Sequence, residues 1–429
     1  MISYHDALQQ VLAACGPLPA EQVPMAQALG RVFAQDVFAQ ADLPAFDNSA
    51  MDGFALSSAG STLLSGSEFA VVGSQAAGDG DRDGLAASTD DACEIMTGAS
   101  LPTGLDTVVP IEQVEVLSRD VEGRPSRIRL LADVTTGSHV RTRGQDVAVG
   151  DHVVGAGSRH DASSHMLLAA LGVETLALRP RVPVAVIATG RELVDDPRQA
   201  LAPGQIRNSN GPFLAARLDE AGASVVHRET VGDDAAAFTQ TLMRALEAGA
   251  QLVLSTGAVS MGRHDFVPDA LRALGATIVF HKVAIRPGKP VLFARLPGGQ
   301  LYFGLPGNPV SSAVGMRFFV EPALRALLGQ GAEREFRVQL AEAVHKKAGL
   351  HCFFKAQVGL DAAGCLRVRV LQGQESFRMR PLLAANAWAV LEANRDTYAA
   401  GDDVLVYGLD GRGITLVVAE DAGAHDDAG

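Results

Sequence analysis

The chain has 429 residues, 47% hydrophobic and 20% charged, with 45 glycines, an ordinary globular composition with room for two to four domains of about 150 residues. A formal charge of −13 and only 5% aromatic residues, with Trp388 the single tryptophan, argue against a nucleic-acid surface, an anionic-membrane surface, or base stacking as the main task. Four scattered cysteines (Cys15, Cys93, Cys352, Cys365) without a C-x-x-C pair, no apolar run near about 20 residues, and no basic, apolar leader at Met1–Asp6 lead us to expect a cytoplasmic protein with no membrane span.

A helix is expected from Tyr4 to about Ala14, with Leu8, Val11 and Leu12 at helical spacing and Gly16-Pro17 as its stop, followed by an extended segment through Val32 and Val37. Next comes Pro44-Ala45-Phe46-Asp47-Asn48-Ser49-Ala50-Met51-Asp52-Gly53-Phe54-Ala55, dense in small polar residues. Short β-like runs at Phe69–Val72, Cys93–Thr97, Thr107–Val109 and Arg127–Leu131 predict a small all-β unit. Arg141-Thr142-Arg143-Gly144-Gln145-Asp146 then leads to an apolar helix between Ser163 and Gly172, with the glycine placed as its C′ residue. Residues 1–45 are too short for a core of their own, so the β unit reads as an insertion in an elongated segment.

From residue 182 the texture changes. Val182–Ala188 is a continuous apolar run, as in a strand buried on both faces, and it ends in Thr189-Gly190-Arg191-Glu192. Helices at Pro212–Glu220, Ala235–Ala248 and Pro268–Leu274 alternate with strands at Ser224–His227, Leu252–Ser255 and Thr277–Lys282. Strands Val291–Ala294 and Leu301–Phe303 precede a last helix from Pro309 to about Leu328. This alternation predicts a doubly wound α/β domain, whose ligands sit beyond the carboxyl ends of the strands. Beyond Gly329, the runs Phe336–Leu340, Phe353–Gln357, Leu366–Val370, Trp388–Glu392 and Asp403–Tyr407 predict a small β-barrel or sandwich, and Glu420–Gly429 a disordered tail.

The stretch richest in chemistry is Lys282–Ser311. It holds Ile285-Arg286-Pro287-Gly288-Lys289-Pro290, a short apolar strand, and Leu305-Pro306-Gly307-Asn308-Pro309. Glycine lets a backbone approach a ligand and proline fixes φ, so two such loops at neighbouring strand ends make an anion cradle faced by Lys282, Arg286 and Lys289. Carboxylates recur at the predicted loop ends (Glu192, Asp233, Asp234, Asp265), joined by Asp52, Asp146 and Arg141 from the N-terminal half. A cleft mixing these charges suits a Mg²⁺–phosphate ligand, although any one of the carboxylates is more often a helix cap or a solvated loop residue. Thr256–Gly262 can offer N–H groups to a phosphate or a pterin-like ring, or serve only as a tight turn. No P-loop, dinucleotide fingerprint or G-x-S-x-G elbow is present, and His139, His152, His160 and His165 lack metal-ligand spacing.

Taken together, these motifs resemble one family, the molybdopterin molybdenumtransferases, which include the bacterial MoeA proteins and the E domain of gephyrin. The resemblance is carried by Asn48–Ala55, Met96-Thr97-Gly98-Ala99, Arg141–Asp146, Thr189–Leu193, Ser255–Asp265, Ile285–Pro290 and Leu305–Ser311, in family order over roughly residues 1–410. It implies a multidomain α+β and α/β protein: an elongated domain of residues 1–45 and 142–180, an inserted β lid of 46–141, an α/β molybdopterin-binding domain of 181–328, a C-terminal β-barrel of 329–415, and a disordered tail of 416–429. It also implies a homodimer whose cleft joins one subunit's α/β domain to the N-terminal domains of the other. The implied substrates are adenylylated molybdopterin and molybdate, the cofactor is Mg²⁺, the products are AMP and molybdenum cofactor, and a molybdopterin adenylyltransferase is a further expected partner.

By resemblance, Asp52, Asp146, Glu192, Asp233, Asp265, Lys282 and Arg286 are the expected catalytic residues, with the metal ligands among Asp52, Glu192, Asp233 and Asp265. Substrate contacts are expected from Thr97, Arg141, Thr189, Gly190, Ser255, Thr256, Gly257, Ser260, Lys289, Pro306, Gly307 and Asn308. Three positions depart from the family pattern. Arg286 stands where lysine is frequent, Arg191 where an acid is frequent, and Ala258 where glycine is frequent, an exchange suited only to a residue that does not need positive φ. Two other readings stay open: a molybdopterin adenylyltransferase, which residues 182–327 resemble, and a non-catalytic molybdopterin-binding or scaffold protein.

Overall fold

The computed structural model describes residues 1–80, 88–259, 266–411 and 413–418. Its organising layer is a six-stranded sheet built from Val182–Thr189 (β1), Ala223–Val231 (β2), Leu252–Thr256 (β3), Thr277–His281 (β4), Leu292–Arg295 (β5) and Leu301–Leu305 (β6), in the order β2-β1-β3-β6-β5-β4. Helices Asn210–Glu220 (α1), Ala235–Glu247 (α2) and Val267–Ala273 (α3) connect the strands. Successive side chains of a strand face opposite ways. Accordingly Val184 and Val186 enter one core with Leu214 and Leu218 of α1, while Ala185 and Ile187 enter another with Phe238 and Leu242 of α2. The unbroken apolar run of β1 is therefore the signature of a strand covered on both sides.

The directions of the strands decide where a ligand can sit. β2, β1, β3 and β6 run parallel, β5 is antiparallel to β6, and β4 is antiparallel to β5. Two reversals restore the original direction, so the carboxyl end of β4 lies on the same edge as those of β1, β3 and β6.

After β6 the expected single helix is divided into Pro309–Gly315, a π turn at Met316–Val320, and Glu321–Leu327. Pro322 supplies the reason: its ring cannot tolerate the carbonyl four residues back, at Phe318, and widening the turn removes the clash.

In the N-terminal part, early strands pair with chain that returns much later. Glu21–Pro24 and Val32–Phe33 flank Thr175–Arg179 in one sheet, and Val37–Phe38 pairs with His152–Val154. Between them lies a six-stranded sheet in the order Thr107–Pro110, Gly53–Leu56, Asp91–Ile95, Glu68–Gln75, Pro125–Leu130 and Val114–Arg119. Two of these strands, Gly53–Leu56 and Val114–Arg119, are additions to the sequence expectation. Gly53 is indispensable to the first, since a Cβ there would lie 1.9 Å from the Val109 carbonyl oxygen.

In the C-terminal part, His351–Leu360, Leu366–Val370, Phe336–Leu340, Asp403–Gly408 and Ala387–Leu391 pair in that order, and the last pairs back onto the first. The result is a closed five-stranded barrel, which leaves those strands no free edge. No helix among the described residues is long and apolar enough to cross a membrane.

Candidate functional site

The chain leaves β1 for β2 on one side and leaves β3 for β4, beyond β6, on the other, so the β1/β3 boundary is a topological switch point, where open α/β sheets place their ligands. The residues at this boundary keep the floor open. The Thr189 hydroxyl donates to the Thr256 carbonyl at 3.0 Å, tying the two strand ends together. Gly257 has φ 89°, and a Cβ on it would come within 2.5 Å of the Thr189 carbonyl oxygen. Its N–H donates to the Leu305 carbonyl at 3.1 Å, and a Cβ on Gly307 would sit 3.8 Å from the Gly257 Cα. Two glycines thus face each other across β3 and β6, leaving bare backbone where a ligand can approach. Pro306 is buried while Gly307 and Asn308 are exposed. Ser255 is fully buried, and its hydroxyl accepts from Tyr302, so it braces the floor from below. Asn210, at the start of α1, was missed by sequence reasoning, which began that helix at Pro212; its amide donates to the Gly307 carbonyl at 2.7 Å.

The carboxylates take different roles. Glu192 folds back over Gly190, whose φ is 151° and whose Cβ, if present, would lie 2.7 Å from either carboxylate oxygen. The Gly190 N–H donates to the Val231 carbonyl at 3.0 Å, so β1 and β2 end side by side, with exposed Asp233 two residues further on. Asp234 is a helix cap: its carboxylate accepts from the Ala237 N–H at 2.7 Å. Ser260 and Asp265 lie outside the described residues.

Ala258 corrects the sequence expectation, because its φ is 51°. The left-handed region crowds a Cβ and costs about 1 kcal/mol or more. Ala258→Gly is therefore expected to stabilise the protein by roughly 0.5–1 kcal/mol, seen as a higher urea midpoint with an unchanged slope.

The cations follow β4. Lys282 sits at φ 75°, Arg286 precedes a cis Pro287, and both Arg286 and Lys289 are exposed. The first Gly/Pro loop packs on the helix that follows the second: a Cβ on Gly288 would lie 3.5 Å from the carbonyl oxygen of Ser311, within Pro309–Gly315. His281 also bonds the Val259 carbonyl through Nε2 at 2.7 Å, linking the end of β4 to the loop after β3. Arg286 looks into a cleft of about 320 Å³ whose other lining includes Glu342, His345, Lys346 and Gln374 of the barrel. Lys355, fully buried, donates from Nζ to the carbonyls of Gly373 (2.6 Å) and Arg378 (3.0 Å), and so fixes the loop that carries Gln374. Burial holds its amine below the usual lysine range. None of these barrel residues was anticipated, and the Lys346-Lys347 pair was their only sequence signal.

Of the remaining candidates, Asp52 and Thr97 flank strands of the inserted sheet, while Arg141 and Asp146 lie on the chain that leaves it. Asp52 accepts from the Thr97 N–H at 2.6 Å and from its hydroxyl at 2.8 Å, and the N–H bond above all holds the carboxyl below the usual range. Arg141 lies opposite Asn48 in a two-residue ladder, and the Asp146 N–H donates to the Leu43 carbonyl at 2.9 Å. The apolar cores of the inserted sheet contain only residues 54–140. No group of three or more potential metal ligands forms among the described residues, so Asp52, Glu192 and Asp233 are not assembled within one chain.

Residues 2–172 match the family description "MoeA N-terminal region (domain I and II)", residues 185–326 "Probable molybdopterin binding domain", and residues 337–409 "MoeA C-terminal region (domain IV)". The chain is 39% identical over 415 residues to the molybdopterin molybdenumtransferase of Synechococcus elongatus, covering 95% of this chain and 100% of that protein. It is 33% identical over 368 residues to a Staphylococcus aureus protein of the same name, covering 85% of each. Two structures of the molybdopterin biosynthesis MoeA protein of Pyrococcus horikoshii superpose with TM-scores of 0.79 and 0.77 at 25% identity, covering 96% and 95% of this chain and 99% of each of those chains.

Proposed function

Because the chain belongs to the molybdopterin molybdenumtransferase (MoeA) family, and is thus an enzyme of molybdenum cofactor biosynthesis, we propose that its β1/β3 crevice and cation turn insert molybdate into adenylylated molybdopterin with release of AMP. The observation that carries this reading is the single rim of the central sheet. Bare backbone at Gly257 and Gly307 and the cations Lys282, Arg286 and Lys289 all stand beyond the same strand edge.

The crevice floor offers backbone groups to the pterin and its phosphate. Molybdate is a tetrahedral dianion, and the Arg286 cleft, which Lys346 also lines, is a place where fixed positive charge meets an oxyanion. Lys282 and Lys289 sit on the same turn and extend that charge toward the phosphate link. Loss of AMP is then coupled to capture of molybdenum by the dithiolene sulfurs of molybdopterin.

Glu192 and Asp233, at neighbouring strand ends, fit a Mg²⁺ site of the kind that uses one or two carboxylates and completes its shell with phosphate oxygens and water. When bound, Mg²⁺ would neutralise charge on the departing AMP. The exposed Asp52, Thr97, Arg141 and Asp146 complete the cleft from a second copy of the chain in a homodimer, and we place the protein in the cytoplasm.

The test is AMP release by purified protein given adenylylated molybdopterin, Mg²⁺ and molybdate. AMP is expected only when molybdate is present. Release indifferent to molybdate overturns the coupling, ATP-dependent adenylylation of molybdopterin points to the adenylyltransferase reading, and substrate binding without any turnover points to the scaffold reading.

A further inference from the structure

Lys282 is held in its left-handed turn by residues from the far end of the chain. The Ile2 N–H donates to the Lys282 carbonyl (3.4 Å) and the Ile2 carbonyl accepts from the Ala284 N–H (2.8 Å), an isolated parallel bridge centred on Val283. On the inner side, the Lys282 N–H donates to the Val291 carbonyl (3.0 Å) and the Val283 N–H to the Lys289 carbonyl (2.9 Å). On the outer side, the His351 N–H donates to the Ala284 carbonyl (2.9 Å), and Ile285–Arg286 pairs with His351–Cys352 of the barrel.

The segment that delivers Ile2 is itself anchored. Ser3 caps the helix Tyr4–Ala13 by accepting from the Asp6 N–H at 3.1 Å. Tyr4 is wedged among His351, Phe353 and Phe319, with ring centroids 4.6, 5.2 and 5.6 Å away. A lysine in the left-handed region persists only where its surroundings over-determine it. The Ile2 bridge is the part of those surroundings that comes from outside both the α/β unit and the barrel.

We propose that Ile2 is a positioning residue for the reaction: its backbone fixes the conformation of Lys282 and so directs the ammonium at the oxyanion. This role rests on the reading of Lys282 as part of the site, and it assigns the N-terminal segment a task beyond packing.

The test compares Ile2→Pro, which lacks the donating N–H, with Ile2→Val, which keeps both backbone bonds, in the full chain. Ile2→Pro is expected to raise the KM for molybdate roughly tenfold, within the ~100-fold that a misplacement of 1 Å can produce. The KM for adenylylated molybdopterin and the melting temperature should stay unchanged, and Ile2→Val should match the wild type. In a Lys282→Ala background, Ile2→Pro should add nothing, because it acts only through that lysine. An equal rise in both KM values, or a further loss in the Lys282→Ala background, overturns the proposal in favour of a structural role. If Ile2→Pro does not fold, Ile2→Gly serves instead; it loosens the strap while keeping its bonds, and should raise the molybdate KM roughly two- to fivefold, whereas no rise overturns the proposal. Failure of the underlying reading shows separately, as wild-type AMP release that ignores molybdate. In that event molybdate affinity measured by calorimetry decides, and Ile2→Pro must still weaken it.

Discussion

Replacing Lys282 with alanine is expected to lower molybdate-dependent AMP release by about 100- to 1000-fold, the loss typical when one fixed charge-stabilising group is removed from an active site. Folding should be spared. Lys282 is only partly buried, and alanine suffers the same crowding at φ 75°, so the unfolding free energy should move by no more than about 0.5 kcal/mol. Lys282→Gly separates charge from conformation. It removes the same ammonium but is at ease in the left-handed region, so it should be as inactive as Lys282→Ala yet about 1 kcal/mol more stable. Lys282→Arg keeps the charge on a planar, forked donor, and partial activity is expected. Single-turnover AMP release and urea unfolding on the same preparations check all three. A fully active Lys282→Ala would reduce the turn to a structural element.

How far the sequence revealed this site depended on whether a position is dictated locally. Val182–Ala188 was legible because a strand covered on both faces needs an unbroken apolar run, and the Gly/Pro loops were legible because close backbone approach leaves few residue choices. Strand alternation brings the turn before β5 against the helix after β6, where Gly288 approaches Ser311. Asn210, His345, Lys346 and Gln374 escaped notice because each gains its place only when a distant element packs beside it. Gly53–Leu56 escaped because it is short and buried throughout, with no alternation to betray it. Ala258 marks the opposite case: its side chain suggested ordinary backbone, yet the tie of Gly257 to Leu305 on one side and of Val259 to His281 on the other holds its φ at 51°. Asp234 takes the role aspartate most often has at such a position, capping the start of α2.

Removing Arg317 should have the largest effect on stability. Arg317 and Glu321 are each 3% exposed, on the helix that joins the central sheet to the barrel. The guanidinium donates from Nε to the Gly408 carbonyl at 2.9 Å and from Nη2 to both Glu333 oxygens at 2.6 and 2.8 Å, and Nη1 lies 3.5 Å from Glu321. Arg217 pairs with the other oxygen of Glu321. Arg317→Met fills much of the same volume but leaves Glu321 buried with one cation instead of two, and breaking such a network costs about 3–5 kcal/mol. The loss should depend on pH. Burial lifts the Glu321 carboxyl to about 7, against the downward pull of Arg317 and Arg217. Between its ordinary value of 4.5 and about 7, the folded protein keeps a proton that the unfolded chain releases, so this group's contribution to stability declines as pH rises across that window. Without Arg317 the carboxyl is pushed higher still, and the decline extends to higher pH. Urea unfolding at pH 5 and pH 8 should therefore show a larger deficit for Arg317→Met at pH 8. Adding Glu321→Gln, which cannot ionise, should remove that pH dependence. A deficit equal at both values would assign the loss to packing and not to the uncompensated carboxylate.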